Sequence, residues 1–205
     1  MLAALIHGIV LAFGLILPLG VQNVFIFNQG ATHRRFSRAL PAVVTAGICD
    51  MLLILLAVMG VSLIVFSFAW LKNLIFLVGF FFMVYMGWSI FRSAPGAGEG
   101  KREALSPKQQ ILFAASVSLL NPHAILDLIG VIGPSSLAYK GDQLVVFTAA
   151  CIGVSFIWFF GLALAGRMVG RLDTGGQVLR RLNQISGLII WGIAVYLGVQ
   201  LVENL

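Results

Sequence analysis

Two carboxylates, Asp50 and Asp127, stand inside long apolar stretches, with no Lys or Arg at comparable depth. A charged side chain in hydrocarbon is costly and by default marks a route for substrate or protons. Acids buried without a cationic mate must be protonated, wetted, or ready for a cation that comes from elsewhere. Asp127 lies in "SLLNPHAILDLIG", Ser118 to Gly130, five residues past Pro122. That proline removes a backbone N–H and clashes with the carbonyl four residues earlier, so a helix should kink or open near Ser118 to Asn121. Irregular backbone at membrane depth is tolerated only against protein or a wet cavity. "LPLGVQNVF", Leu17 to Phe25, offers a parallel: Pro18 and Gly20 weaken the chain just before Gln22 and Asn23. Helix ends at such breaks present free N–H groups and partial positive charge, suited to a carboxylate ligand. The lining would therefore offer carboxylates to a cation and helix ends to an anion, and an amino acid with a basic side chain has both.

These groups need a scaffold, and composition says which solvent it faces. The 205-residue chain is 60% hydrophobic and 10% charged, with a mean hydropathy of +1.04. A soluble domain is roughly 45–50% apolar and about 25% charged. The chain reads as an integral membrane protein. Six stretches approach or exceed the roughly 20 residues a spanning helix needs: Leu2 to Phe27, Leu40 to Phe66, Asn73 to Phe91, Gln110 to Ile132, Gln143 to Gly166 and Asn183 to Val202. The runs are continuous rather than alternating, which favours helices over a barrel. The first has no basic leader and is too long for a signal core, so it reads as a retained helix.

Basic residues set the orientation. The odd-numbered connections carry eleven of the thirteen, from Arg34, Arg35 and Arg38 to Arg180 and Arg181, and the even ones carry only Lys72 and Lys140. Under the positive-inside rule the odd connections face the cytoplasm and both chain ends face outside. The formal charge of +6 then reflects topology and contact with anionic lipid, not nucleic acid. Asp50 follows Arg38 by twelve residues, a helical rise of about 18 Å that places it near the membrane centre.

"VYMG" at Val84 to Gly87 returns as "VYLG" at Val195 to Gly198, and at the same offset "LKNL" from Leu71 matches "LNQI" from Leu182. The expectation is two three-helix repeats, 1–92 and 109–205, joined by a cytoplasmic linker at 93–108. An odd helix count per half inverts the second copy, a transporter architecture with its site near the midplane.

"ILPLGVQNVFIFNQG" (Ile16 to Gly30), "LLNPHAILD" (Leu119 to Asp127) and "SFIWFFGLAL" (Ser155 to Leu164) resemble the matching segments of the lysine/arginine exporter family of the LysE superfamily, over nearly the whole chain. The resemblance implies export of L-arginine or L-lysine across the bacterial inner membrane, driven by the proton-motive force. It places Pro18, Pro122, Gln22, Asn23, Asp50, Asn121 and Asp127 on motif positions. The family usually reads Gly-Pro-Gln-Asn where this chain has Gly20, Val21, Gln22 and Asn23, so here the bend of the first helix rests on Pro18. Related branches export neutral amino acids such as threonine and homoserine, or cadmium. Asp127 favours a cationic substrate. Cys49 and Cys151, the only thiols, are few for a soft metal and suggest no disulfide.

On this reading the substrate is bound by Asp50, Asp127, Asn23, Gln22 and Asn121, protons are coupled through Asp50, Asp127 and His123, and Pro18, Gly20 and Pro122 form the gating breaks. Plainer readings stand beside these. Pro122 could be a packing kink, Asp50 a structural acid bonded to Thr45 or Ser155, and His123 a histidine satisfied by packing; His7, toward the outer end of the first helix, and His33, beside a basic loop, read as non-functional. Gly8, Gly14, Gly60, Gly79, Gly87, Gly187 and Gly198 suit close helix approach. Trp70 suits an outer interfacial anchor, and Trp88 and Trp191 the same or internal packing. No Walker motif, metal cluster or nucleophile–base arrangement is found, so no enzyme, cofactor or metal is expected. A homodimer is left open. Asp127→Asn should abolish export without unfolding the protein; arginine export retained by that variant in proteoliposomes would count against the assignment.

Overall fold

Prolines, glycines and caps decide where this chain's helices break. The computed structural model describes residues 1–18, 20–33, 35–60, 69–92, 105–121, 124–125, 128–173 and 176–203. Regular structure among them is helical throughout: α1 (Leu2–Ile16), α2 (Val21–Thr32), a 3-10 turn (Phe36–Arg38), α3 (Leu40–Val58), α4 (Ala69–Arg92), α5 (Pro107–Leu120), a π-helical turn (Leu128–Ile132) running into one α-helical turn (Gly133–Ser136), α6 (Asp142–Leu172) and α7 (Gln177–Glu203).

The first expected span, Leu2 to Phe27, is two helices. α1 ends before Pro18, Gly20 takes an extended conformation as the N-cap of α2, and the two helix axes differ by 83°. Val21 is the first residue of α2, the position where a proline is best accommodated. The bend therefore forms without the family's proline. The second break is equally clear. α5 stops at Leu120 and Asn121 is extended, but its side-chain oxygen accepts from the Ala124 N–H (3.4 Å) and its carbonyl from the Ile125 N–H (3.1 Å). Asn121 thus ends one helix and caps the turn that follows. Pro122, His123 and Asp127 lie outside the described residues, as do residues 93–104 of the expected linker.

The second expected span, Leu40 to Phe66, falls short as a helix: α3 ends at Val58 and turns at Gly60, and residues 61–66 lie outside the described residues. Several other boundaries move outward. α5 starts at Pro107 rather than Gln110 because Ser106 and Gln109 form a reciprocal capping box, a Ser-x-x-Gln signature. α6 and α7 run past the expected Gly166 and start before the expected Asn183. Arg167, Arg171, Arg180 and Arg181 leave hydrocarbon but remain good helix formers. Six spans are expected. Among the described residues three helices are long and apolar enough to cross a membrane (Leu40–Val58, Asp142–Leu172 and Gln177–Val199), the bent α1–α2 pair makes a fourth, and Leu77–Arg92 is a shorter apolar helix.

α6 is the central post: α1, α2 and α3 pack against it, α5 packs on α3, and α4 pairs with α7. Close approach rests on small residues. A Cβ at Gly166 would collide with the Phe27 carbonyl, and one at Gly30 with the Ala163 carbonyl, so α2 and α6 touch backbone to backbone. Gly8 abuts Phe147 and Ala150, Gly87 receives the Trp191 ring, and Gly187 meets Phe91. Trp191 donates to the Val84 carbonyl (3.2 Å) and lies beside Trp88, within the α4–α7 pair. Two glycines depart from the expectation: Gly14 faces open space, and Gly60 has φ +91° at the turn that closes α3, where it serves backbone geometry rather than helix contact.

Gly166→Ala forces α2 and α6 apart and should destabilise the protein by about 1–3 kcal/mol, read as a lower thermal unfolding midpoint in detergent. Gly14→Ala, which meets nothing within 4 Å, should leave the midpoint unchanged or raise it.

Candidate functional site

Asp50 lies in the middle of α3 and is only 5% exposed. A buried carboxylate needs donors, and two neighbouring helices supply them. The Gln22 amide of α2 donates to Asp50 Oδ1 at 3.1 Å, and the Ser155 hydroxyl of α6 also bonds the carboxylate. Of the two hydroxyls considered as structural partners, Ser155 is the one engaged. No cation pairs with Asp50 among the described residues.

This acid sits in the wall of a cavity of about 100 Å³, room for several waters or a small polar head group. The two helix breaks meet there: Pro18, Gly20, Gln22 and Asn23 line one side, and Asn121, Ala124, Leu128 and Ile132 the other. Ile54, Met83, Phe159 and Ile193 complete an apolar remainder. The structure therefore gathers Pro18, Gly20, Gln22, Asn23, Asp50 and Asn121 around one space. Ala124 and Leu128, which bracket the undescribed Asp127 in the sequence, line it too.

Asn23 does more than line the wall. Its amide donates to the carbonyls of Ile16 (2.7 Å) and Pro18 (2.8 Å) at the break, the second of which also accepts from the Gly20 N–H (2.8 Å). Its oxygen accepts from Trp158 Nε1 of α6 (3.2 Å). The side chain is thus used fully, clamping the bend and fastening it to α6. No side chain caps α2 itself, so its first-turn N–H groups and the positive end of its dipole are left for the cavity.

A second polar cluster closes the far end of α2. Gln110 of α5 is wholly buried and its Nε2 reaches the carbonyls of Arg38 (2.9 Å) and Leu105 (3.0 Å) and the His33 ring Nε2 (3.0 Å). The two carbonyls fix the amide orientation, so the ring nitrogen must accept. Burial, and then the nearby charge of Arg38, hold the His33 pKa below its ordinary value, which keeps the ring neutral and able to accept. His33 is therefore a bonded part of the interior. At the opposite end of the molecule His7 bonds the Tyr139 hydroxyl (2.9 Å) and packs on Phe147. Cys49 and Cys151 are buried and free, and among the described residues no group of three or more His, Cys, Asp or Glu stands together to hold a metal.

The sequence model of the LysE type translocator family matches residues 13–201. The chain belongs to the LysE family. It is 54% identical over 201 residues, 98% of this chain and 91% of the other, to YisU of Bacillus subtilis (strain 168), to which amino-acid transport is provisionally assigned. It is 35% identical to the arginine exporter protein ArgO of Escherichia coli (strain K12), covering 94% of this chain and 92% of that one. ArgO of Enterobacter sp. (strain 638) is also 35% identical, over all of this chain and 98% of its own. No solved structure matches the chain. The family is one of translocators, so the cavity between the two breaks lies in a membrane transporter.

Asn23→Ala strands the Ile16 carbonyl and the Trp158 indole N–H and leaves the Pro18 carbonyl with the Gly20 N–H as its donor. Each buried group left unmet costs about 1–3 kcal/mol, so the unfolding midpoint in detergent should fall markedly. Asn23→Asp, which keeps the acceptor for Trp158 but turns carboxylate oxygen toward the Ile16 and Pro18 carbonyls, should lower it at least as far.

Proposed function

We propose that this LysE-family chain is a secondary active exporter of a basic L-amino acid, arginine or lysine, out of the bacterial cytoplasm across the inner membrane in exchange for protons. The observation that carries this reading is Asp50: a carboxylate buried in the wall of a central cavity, held by two neutral donors, with no cation beside it among the described residues. An incoming guanidinium or ammonium supplies the missing charge, and protonation of the emptied acid returns the carrier without it. The uncapped start of α2 suits the substrate's α-carboxylate. Asp127, placed by sequence between the cavity-lining Ala124 and Leu128, is proposed as the second acid, with Asn121 and Gln22 shaping the site and His123 assisting proton transfer. The relatives named as arginine exporters support the cationic substrate.

Alternating access follows from two inverted halves, 1–92 and 109–205, each a set of three spans. The helix pairing supports this. Exchanging the halves turns the packing of α1 and α2 on α6 into that of α5 on α3, and leaves α4 with α7 and α3 with α6 as self-paired sets. The breaks before α2 and after α5 are then equivalent, and Pro18, Gly20 and Pro122 are the hinges.

Counterflow of labelled arginine into proteoliposomes should be competed by unlabelled arginine and lysine and not by threonine, homoserine or cadmium. Asp50→Asn should reduce it at least tenfold while the protein still purifies as folded material. Competition by threonine alone would point to a neutral substrate, and undiminished counterflow in Asp50→Asn would overturn the role of the acid.

A further inference from the structure

Between Asp50 and the His33 end of α2 the interior is built mainly of apolar and small residues: Phe25, Ile26, Ala42, Val43, Ala46 and Ala114. Two glutamines interrupt it. Gln29 is 7% exposed and Gln110 wholly buried, and the side-chain oxygen of each has no hydrogen-bond partner among the described residues. A leucine would fill a similar volume at either position without stranding an acceptor, and buried acceptors are rarely left unmet. Their placement is ordered. Gln29 follows Gln22 by seven residues, 20° short of two full turns, so the two share a face of α2 about 10 Å apart along its axis. Gln22 already holds Asp50, and His33, one turn beyond Gln29, holds Gln110. One face of α2 thus links the cavity acid to the cluster at the helix end.

We propose that this face is a transit site for the cationic head of the substrate, in which the amide oxygens of Gln29 and Gln110 accept its hydrogen bonds between the cytoplasmic mouth and Asp50, and that the Gln110–His33 contact is the latch that closes it. The proposal rests on the export reading above. Both stranded atoms are oxygens, so the site takes donors: an ammonium or a guanidinium, not a carboxylate. Being uncharged, amides hold a cation weakly enough to release it, as conduction through several sites requires. Gln110 joins the end of α2, the turn ending at Arg38 and the segment before α5 through one amide, so releasing that amide frees three segments around the mouth and turns its oxygen toward the route.

Two measurements test this on the full-length protein in proteoliposomes. In the first, Gln29→Cys is labelled from the Arg35 and Arg38 side with impermeant methanethiosulfonates, one cationic and one anionic. The wild type, whose Cys49 and Cys151 are buried, serves as the blank. After each rate is divided by that with free thiol, the cationic reagent should react at least tenfold faster, although Arg35 and Arg38 alone would favour the anion, and Gln110→Leu should accelerate the reaction at least fivefold. Absence of labelling, or equal rates for the two reagents as in a route for water only, overturns the site whatever the substrate. In the second, Gln29→Leu should lower arginine counterflow at least tenfold and change equilibrium arginine binding less than twofold; full counterflow overturns the transit role. A wild type that shows no counterflow of any basic amino acid sinks the export reading instead, and the labelling result then decides the site alone.

Discussion

The bend between α1 and α2 depends on one side chain. A helix broken in an apolar interior leaves carbonyls without their helical partners. Asn23 takes up those of Ile16 and Pro18 together and ties the corner to α6 through Trp158. With the corner fixed, the uncapped start of α2 faces the cavity, and Gln22, one residue earlier, reaches across to Asp50. The break, the dipole end and the acid thus form one construction, with the brace beneath them.

The second break is made differently and arrives at the same place. Asn121 ends α5 and caps its own following turn. Small residues then let the remaining helices close around both breaks. α2 meets α6 through Gly30, Gly166 and Gly170, and without hydrophobic pressure in lipid such backbone contact is a main source of helix association. Apolar clusters lie on either side of the cavity, one around Ile132, Phe147 and Val154 and the other around Phe25, Val43 and Phe159. The buried Gln29 and Gln110 lie on α2 and α5, two of the helices that build the second.

Much of this was legible in the sequence because it is local. Proline and glycine chemistry announces the breaks near Pro18 and Asn121, and the isolation of Asp50 from any Lys or Arg announces an acid in need of donors. The arginine-rich extensions of α6 and α7 were missed because the apolar limit of a span is not the end of its helix. The capping box at Ser106 and Gln109 was readable and outweighs the apolar pattern that places the start at Gln110. What no local pattern carries is the pairing of distant groups. Gln110 meets His33 across 77 residues and Trp158 meets Asn23 across 135. Such pairs emerge only once the helices are assembled. Gly30 belongs to the motif from Ile16, yet its contact with Ala163 likewise needs the partner helix in place.

The π-helical turn at Leu128–Ile132 gives the cavity wall a property that its straight neighbours lack. Such a turn stores one surplus residue in its hydrogen-bond ladder. Passing that surplus on by a single position into the following turn rotates each side chain it crosses by about 100°. Leu128 and Ile132, both facing the cavity, can swap an oily surface for a different one by peristalsis, without melting the strut that carries them.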